Sequence, residues 1–160
     1  MANAREVALK ALIEHRRRGA WPDLYLKQAL SGLSAEDAGL ATALVGGVIQ
    51  RQMLLDFYIG HYSTVKLKKI MPQVLDILRM GVYQLCFMGD RMPAYAVVNE
   101  SVKLTRKHAN PQAAGYVNSL LRTVSREADM LPEPDRGDPA QYLSVLPRFP
   151  QPRVARRLVL

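Results

Sequence analysis

The apolar residues of this 160-residue chain recur at steps of three and four almost throughout, and this spacing limits the fold more than any other feature. In the first segment it places Val7, Ala8 and Leu12 on one face of a helix, and comparable stripes follow along the chain. No segment shows the sustained alternation of apolar and polar residues that a half-buried strand would have. The spacing therefore predicts an all-α fold.

Capping and helix-breaking residues divide this pattern into separate helices. Ser34, with an acidic residue three positions later, has the form of a capping box and predicts a long helix over about residues 35–58. Gly46 and Gly47 lie inside it and cost about 1 kcal/mol each, which predicts close approach of a neighbouring helix. Asn110 followed by a proline predicts the start of the last helix.

The net charge of +8 is unevenly distributed. Residues 61–127 carry ten basic and four acidic side chains, whereas residues 1–60 carry seven and six. Such a surface binds polyanions, although clustered Lys and Arg also simply keep a surface solvated. Because the chain has a single Cys, no run of about 20 apolar residues and no basic-then-apolar leader, we expect a cytoplasmic location and no membrane partner.

No combination of residues predicts a catalytic or metal site. Cys86 lies in an apolar helical run, where cysteine usually behaves as a small buried hydrophobe. His15, His61 and His108 lack metal-ligand spacing and are expected at helix ends or on the surface. The glycine pair falls inside a helix rather than in a strand-to-helix loop, so it predicts no phosphate loop. We therefore expect no catalysis and no cofactor in this chain alone.

Three motifs in order along the chain resemble a known family. They are LDILRMGVYQL at residues 75–85, MPAYAVVNESVKL at 92–104 and GYVNSLLR at 115–122. Together they resemble the NusB-like RNA-binding domain, which occurs in the transcription antitermination factor NusB and at the N-terminus of RsmB (Fmu/Sun)-type 16S ribosomal RNA cytosine-5 methyltransferases. The resemblance covers residues 4–126 and implies an all-α bundle of about seven helices in two packed three-helix groups.

Within that family, the last motif favours the methyltransferase branch, because antitermination factors tend to have an acidic residue where Arg122 stands. Residues 1–127 would then form the RNA-binding domain, and the proline-rich residues 128–160 a linker toward an absent catalytic domain. The resemblance implies that such a catalytic domain uses S-adenosylmethionine and two cysteines. Two alternatives stay open: a stand-alone antitermination factor with a NusE-like ribosomal protein as partner, and a helical protein-interaction module that touches no RNA.

Eight side chains are candidates for contacting RNA, chiefly ribosomal RNA. By resemblance, Arg5 corresponds to basic residues at the start of the first helix, and Tyr116 to an aromatic residue that opens the last motif. Arginine binds phosphate and a tyrosine ring stacks on unpaired bases, although Tyr116 could equally be a core aromatic. The eight candidates are Arg5, Lys10, Arg16, Arg17, Lys103, Lys107, Tyr116 and Arg122.

Three further polar residues are interpreted as mainly structural because each lies on a strongly apolar helix. A polar side chain in such a helix more often completes a hydrogen bond between helices than binds a ligand. These residues are Arg79, Asn99 and Asn118.

Overall fold

A computed structural model describes residues 3–19 and 22–134, which form seven α-helices and two 3₁₀ turns, with no strand in these ranges. The all-α prediction is confirmed. Apart from residues 128–134, the predicted linker lies outside the described residues. The helices are α1 Ala4–Arg18, α2 Asp23–Leu30, α3 Ala35–Gln50, α4 Gln52–Tyr62, α5 Pro72–Phe87, α6 Ala94–His108 and α7 Ala114–Arg126, and the 3₁₀ turns are Leu67–Lys69 and Pro111–Ala113.

The helices pack as two groups of three, joined by α4. Helices α1, α2 and α3 contact one another, α5, α6 and α7 form the second group, and α4 packs against α5 and α7. Helix α5 contacts members of both groups, and 11 of its 16 residues are buried. This burial explains why the motif at residues 75–85 is so apolar, and the predicted arrangement of two three-helix groups is confirmed.

The ends of the helices follow their local chemistry. Asn3 and Glu6 form a reciprocal capping box at the start of α1, and the helix ends at Gly19, whose φ of 66° lies in the left-handed region. Only glycine adopts that region without a steric cost from Cβ. At the start of α3, Ser34 Oγ accepts a hydrogen bond from the Asp37 N–H at 3.1 Å, as its position in the sequence predicts.

The single long helix predicted over residues 35–58 is wrong, because the chain bends at Arg51. Helix α3 ends at Gln50, α4 begins at Gln52, and the two are bent by 80° relative to each other. Arg51 has φ −115° and ψ 19°, which is not helical. No proline lies near the bend in the sequence, and the glycine pair Gly46–Gly47 comes one turn before it. The bend lets α3 remain on α1 while α4 packs against α5 and α7.

Two glycines allow helices to approach each other closely. A Cβ on Gly47 would lie 2.1 Å from Tyr83 Cζ, so the Tyr83 ring packs directly on the backbone of α3. A Cβ on Gly81 would lie 2.8 Å from a methyl carbon of Leu121 in α7. The close approach predicted for the glycine pair in α3 is confirmed at Gly47.

The described beginning of the proline-rich segment packs on the domain. Ala128 and Leu131 are both buried, and Leu131 belongs to the hydrophobic core. The core therefore continues beyond residue 127, where the sequence predicts the linker to begin.

Over the described ranges, no single helix is long and apolar enough to cross a bilayer. Helices α3 and α4 reach the required length and composition only when taken together across their 80° bend. Much of their apolar surface is used in the core, where Leu44, Val48, Leu55 and Ile59 are almost fully buried.

Candidate nucleic-acid interface

Glu6 ties the first turn of α1 to the last turn of α6. Its carboxylate accepts from Lys107 Nζ at 2.9 Å and lies 2.7 Å from His108 Nε2, and the residue is only 7% exposed. Hydrogen bonds from Lys107 and His108 lower the pKa of Glu6 to about 2. The positive charge of Lys107, a predicted RNA contact, is therefore matched by a carboxylate inside the domain.

Replacing Glu6 with glutamine should lower the free energy of unfolding by about 1–3 kcal/mol at neutral pH, the usual contribution of a hydrogen-bonded charge. Because folding lowers the pKa of Glu6, its stabilisation is complete above pH 4.5 and is lost as pH falls toward about 2. Urea unfolding of both proteins at several pH values should therefore show the difference shrinking over that range. Glu133→Gln changes an exposed carboxylate and should alter stability by less than about 0.5 kcal/mol; an equal effect of the two substitutions would contradict this role.

Arg5 is half-buried and donates its hydrogen bonds within the domain. Its Nε donates to Gln84 Oε1 at 3.0 Å, and Nη2 lies 3.5 Å from Met92 Sδ. Burial lowers the pKa of the Arg5 guanidinium. Because Gln84 is only 1% exposed, truncating Arg5 would leave a buried amide oxygen without this donor. A loss of RNA binding in Arg5→Ala would thus report packing as well as contact.

A chain of four charged side chains links α1, α4 and α5. Arg16 Nη2 lies 2.8 Å from Asp76, and Arg79 Nη1 lies 3.2 Å from the other oxygen of the same carboxylate. Arg79 also makes a bidentate pair with Asp56, at 2.7 and 2.9 Å. Burial raises the pKa of Asp76, while Arg16 and Arg79 act to lower it. Arg16 is therefore ion-paired, and the location of Arg79 agrees with a structural role.

The remaining α1 candidates are on the surface. Lys10 is exposed, and Arg17 Nη1 lies 3.5 Å from Glu14, which also pairs with Arg18 at 2.9 Å. Cations in the last turn of a helix are also stabilised by the helix dipole without any ligand. Glu14 thus offsets part of the charge of this basic run.

Tyr116 is half-buried at the start of α7 and packs against the core. Its hydroxyl shares a hydrogen bond with Ser63 Oγ, just after the end of α4. The ring therefore helps to join α4 to α7, and its stacking on RNA stays a prediction.

The facing edges of α6 and α7 form an elongated depression, which we call the α6–α7 groove. One part, of about 270 Å³, and a second, of about 400 Å³, meet at Asn99. The helices run antiparallel, because the start of α6 lines the same part as the end of α7. The side chains with aromatic, amide or cationic groups that line the groove are Tyr95, Asn99, Lys103, Arg106, Asn118, Arg122 and Arg126.

The α6–α7 groove is strongly basic. Its lining includes Lys103, Arg106, Arg122 and Arg126, and none of its described lining residues is acidic. Lys103 Nζ lies 3.5 Å from the carboxylate of Glu100. Tyr95, at one end, is 73% exposed. An exposed aromatic ring beside an excess of cations is the combination with which proteins bind unpaired nucleic-acid strands.

Asn99 and Asn118, interpreted as structural, both line the open groove, and their structural role stays a prediction. Asn99 is exposed and Asn118 is half-buried. Their helices are amphipathic, with the core formed by other positions such as Val98 and Val117. An apolar neighbour in the sequence is thus a poor guide to which face of a helix a polar residue occupies.

Of the predicted contacts, Lys103 and Arg122 line different parts of the groove. The structure adds three groove residues that the sequence did not single out: Tyr95, Arg106 and Arg126. A signal for two of them was present, because Tyr95, Asn99, Lys103 and Arg106 follow one another at helical steps of four, four and three. The contribution of α7 depends on how the two helices pack, which that spacing does not contain.

Comparison with known protein families shows to which family this helical domain belongs. A family model described as the NusB family matches residues 2–126. The chain belongs to the NusB family. A solved structure of T. maritima NusB has the same fold, with a TM-score of 0.70 and 20% sequence identity over 78% of this chain and 89% of that one.

Relatives of this NusB-family chain include two kinds of protein. A probable ribosomal RNA small subunit methyltransferase B of Bacillus subtilis is 32% identical over 127 residues, which are 78% of this chain and 28% of that protein. The transcription antitermination protein NusB of Bacillus velezensis is 32% identical over 127 residues, covering 79% of this chain and 95% of that one. The chain thus spans little more than a quarter of the methyltransferase and nearly all of the antitermination protein.

Proposed function

We propose that this NusB-family domain binds RNA and places a ribosomal RNA cytosine-5 methyltransferase on its substrate. The observation that carries the proposal is the α6–α7 groove, where an exposed tyrosine lies beside two arginines in one part, two further cations line the other part, and the described lining has no acidic residue. Membership of the NusB family and the methyltransferase relatives support it. In this proposal the domain supplies binding, and methyl transfer from S-adenosylmethionine takes place on a separate catalytic domain.

The first expected result is salt-dependent binding of the full chain to single-stranded fragments of small-subunit ribosomal RNA. If the four groove cations each contact a phosphate, the slope of log affinity against log salt should be about −2.8. Affinity should then fall about 50-fold between roughly 50 and 200 mM salt. Fluorescence anisotropy measures this directly, and undetectable binding at the lower salt concentration would contradict the function.

The methyltransferase assignment is tested by the coding sequence that follows Leu160. A continuous reading frame with a catalytic domain that contains two cysteines would support it, and the full-length enzyme should then methylate ribosomal RNA. Charge-reversing substitutions in the groove of that enzyme should raise KM for RNA more than they lower kcat, because the groove is proposed to bind substrate rather than to react. A stop codon or an unrelated domain at that point would contradict the assignment.

A stand-alone antitermination factor is the second candidate, and it is favoured by the high coverage of the NusB relatives. It requires a different partner, a NusE-like ribosomal protein. Mixing the chain with that protein should then produce a stable complex with higher affinity for a short unpaired RNA than either protein alone. The methyltransferase proposal expects no such complex.

A further inference from the structure

The cations of the α6–α7 groove differ from the other predicted RNA contacts in how they are paired. Arg5, Arg16 and Lys107 donate to Gln84, Asp76 and Glu6, respectively. In contrast, Arg106 and Arg122 are exposed, and the described residues that line the groove with them include no carboxylate. A phosphate arriving at the groove therefore meets two arginines, Arg106 and Arg122, with no carboxylate in the described lining beside them.

The groove also has the length and shape of a path for one strand. On α6 it runs from Tyr95 to Arg106, a distance of about 16 Å at the rise of an α-helix. At about 3.4 Å per nucleotide in a stacked strand, this is room for about four or five nucleotides. Asn99 lines both parts of the groove, so a single strand that passes Asn99 can follow both.

Aromatic and cationic groups are ordered along this path. Tyr95 lies at one end, beside Arg122 and Arg126, whereas Lys103 and Arg106 line the other part. A ring stacks on unpaired bases of any sequence, and cations along a groove follow the phosphates. Asn99, where the two parts meet, can both donate to and accept from a base edge.

Gly115 lines the second part of the groove, and the space beside its Cα is open. A Cβ on Gly115 would have no neighbour within 4 Å, unlike one on Gly47 or Gly81. Helix packing therefore does not require glycine here, although glycine weakens a helix relative to alanine. A larger side chain at this position would enter the groove without entering the core.

We propose that the α6–α7 groove binds a short single-stranded RNA segment, with Tyr95 stacked on an unpaired base and the four groove cations on its phosphates. This inference rests on the proposed RNA-binding function and assigns it to one surface. Double-stranded RNA does not fit the arrangement, because its bases are stacked within the duplex and do not reach a protein ring.

The test compares two double variants that each remove two positive charges from exposed positions. Lys103→Gln/Arg122→Gln changes the groove, and Lys10→Gln/Arg17→Gln changes the surface of α1. The probes are a fluorescent unstructured oligoadenylate and an RNA duplex of the same length, and binding is measured by anisotropy at several salt concentrations. Circular dichroism and thermal unfolding verify that the variants are folded.

The groove variant should bind the oligoadenylate more weakly, and its salt slope should fall in magnitude by about 1.4, whereas the α1 variant should keep the wild-type slope. Tyr95→Ala should weaken binding roughly fivefold or more through loss of a base stack. Gly115→Glu should also weaken binding while leaving the thermal unfolding temperature close to that of the wild type. The oligoadenylate should bind more tightly than the duplex.

Equal affinities and slopes for the groove variant and the wild type would overturn the inference and leave RNA binding by the domain intact. A greater loss in the α1 variant than in the groove variant, or a preference for duplex with no effect of Tyr95→Ala, would also overturn it. Loss of binding to a purified catalytic domain, with RNA affinity unchanged, would make the groove a protein contact instead. No RNA binding by the wild-type chain would overturn the proposed function as well.

Discussion

Replacing Arg79 with methionine should lower the free energy of unfolding by roughly 3–5 kcal/mol, the cost of breaking a buried ion pair by removing one partner. Arg79 donates to both oxygens of Asp56 and to Asp76. Asp76 is only 3% exposed, so the substitution would leave a buried carboxylate with Arg16 as its remaining cation. Urea unfolding monitored by circular dichroism measures the effect.

Arg126→Met is the matched control, because Arg126 is exposed and its Nη2 donates to the neighbouring Thr123 hydroxyl, at 3.3 Å, with no carboxylate partner among the described residues. It should change stability by less than about 0.5 kcal/mol. Arg16→Met should fall between the two, since Arg16 is partly exposed and makes one bond to Asp76. A loss of under about 1 kcal/mol in Arg79→Met would contradict the network's role in joining α4 to α5.

Replacing Gly47 with alanine should destabilise the domain by roughly 1–3 kcal/mol, the usual cost of overpacking, even though alanine favours a helix. The new methyl group would lie 2.1 Å from Tyr83 Cζ and within 2.6 Å of two further ring carbons. Either the ring or α3 must move, and both lie at the junction of the two helix groups. Thermal or urea unfolding would detect the loss.

Gly39→Ala, in the same helix, should change the free energy of unfolding in the opposite direction. A Cβ on Gly39 has open space, so this substitution should stabilise the domain by up to about 1 kcal/mol through helix propensity. In a Tyr83→Leu background, the penalty of Gly47→Ala should shrink, because the clashing ring is gone. If Gly47→Ala and Gly39→Ala have the same effect, the close approach of α3 and α5 does not contribute to stability.

The helical class and the positions of several helix ends were predictable because both depend on residues that are close in the sequence. The recurrence of apolar residues, the cap at Ser34 and the glycine at the end of α1 all act within one or two turns. The bend at Arg51 was not predictable, since no proline lies near it and the glycine pair one turn earlier does not by itself specify a bend. With the bend, α3 packs on α1 and α5, whereas α4 packs on α5 and α7.

The candidate site was predicted only in part. Lys103 and Arg122 were identified, but the α7 residues Arg122 and Arg126 lie beside Tyr95 only because α6 and α7 lie antiparallel. Asn99 and Asn118 line the groove, which apolar composition does not show because it carries no information on helical phase. Whether any of these residues contacts RNA stays a prediction.

The sequence by itself determined an all-α domain of the NusB type with an excess of positive charge, because helix formation and net charge are local or additive properties. Only the tertiary structure decided which of the positive charges remain available to a ligand. Arg16 donates to Asp76, which is 60 residues away in the sequence, and His108 hydrogen-bonds to Glu6, which is 102 residues away. Such pairs exist only when the helices are packed, and the described lining of the α6–α7 groove contains no carboxylate that would form one.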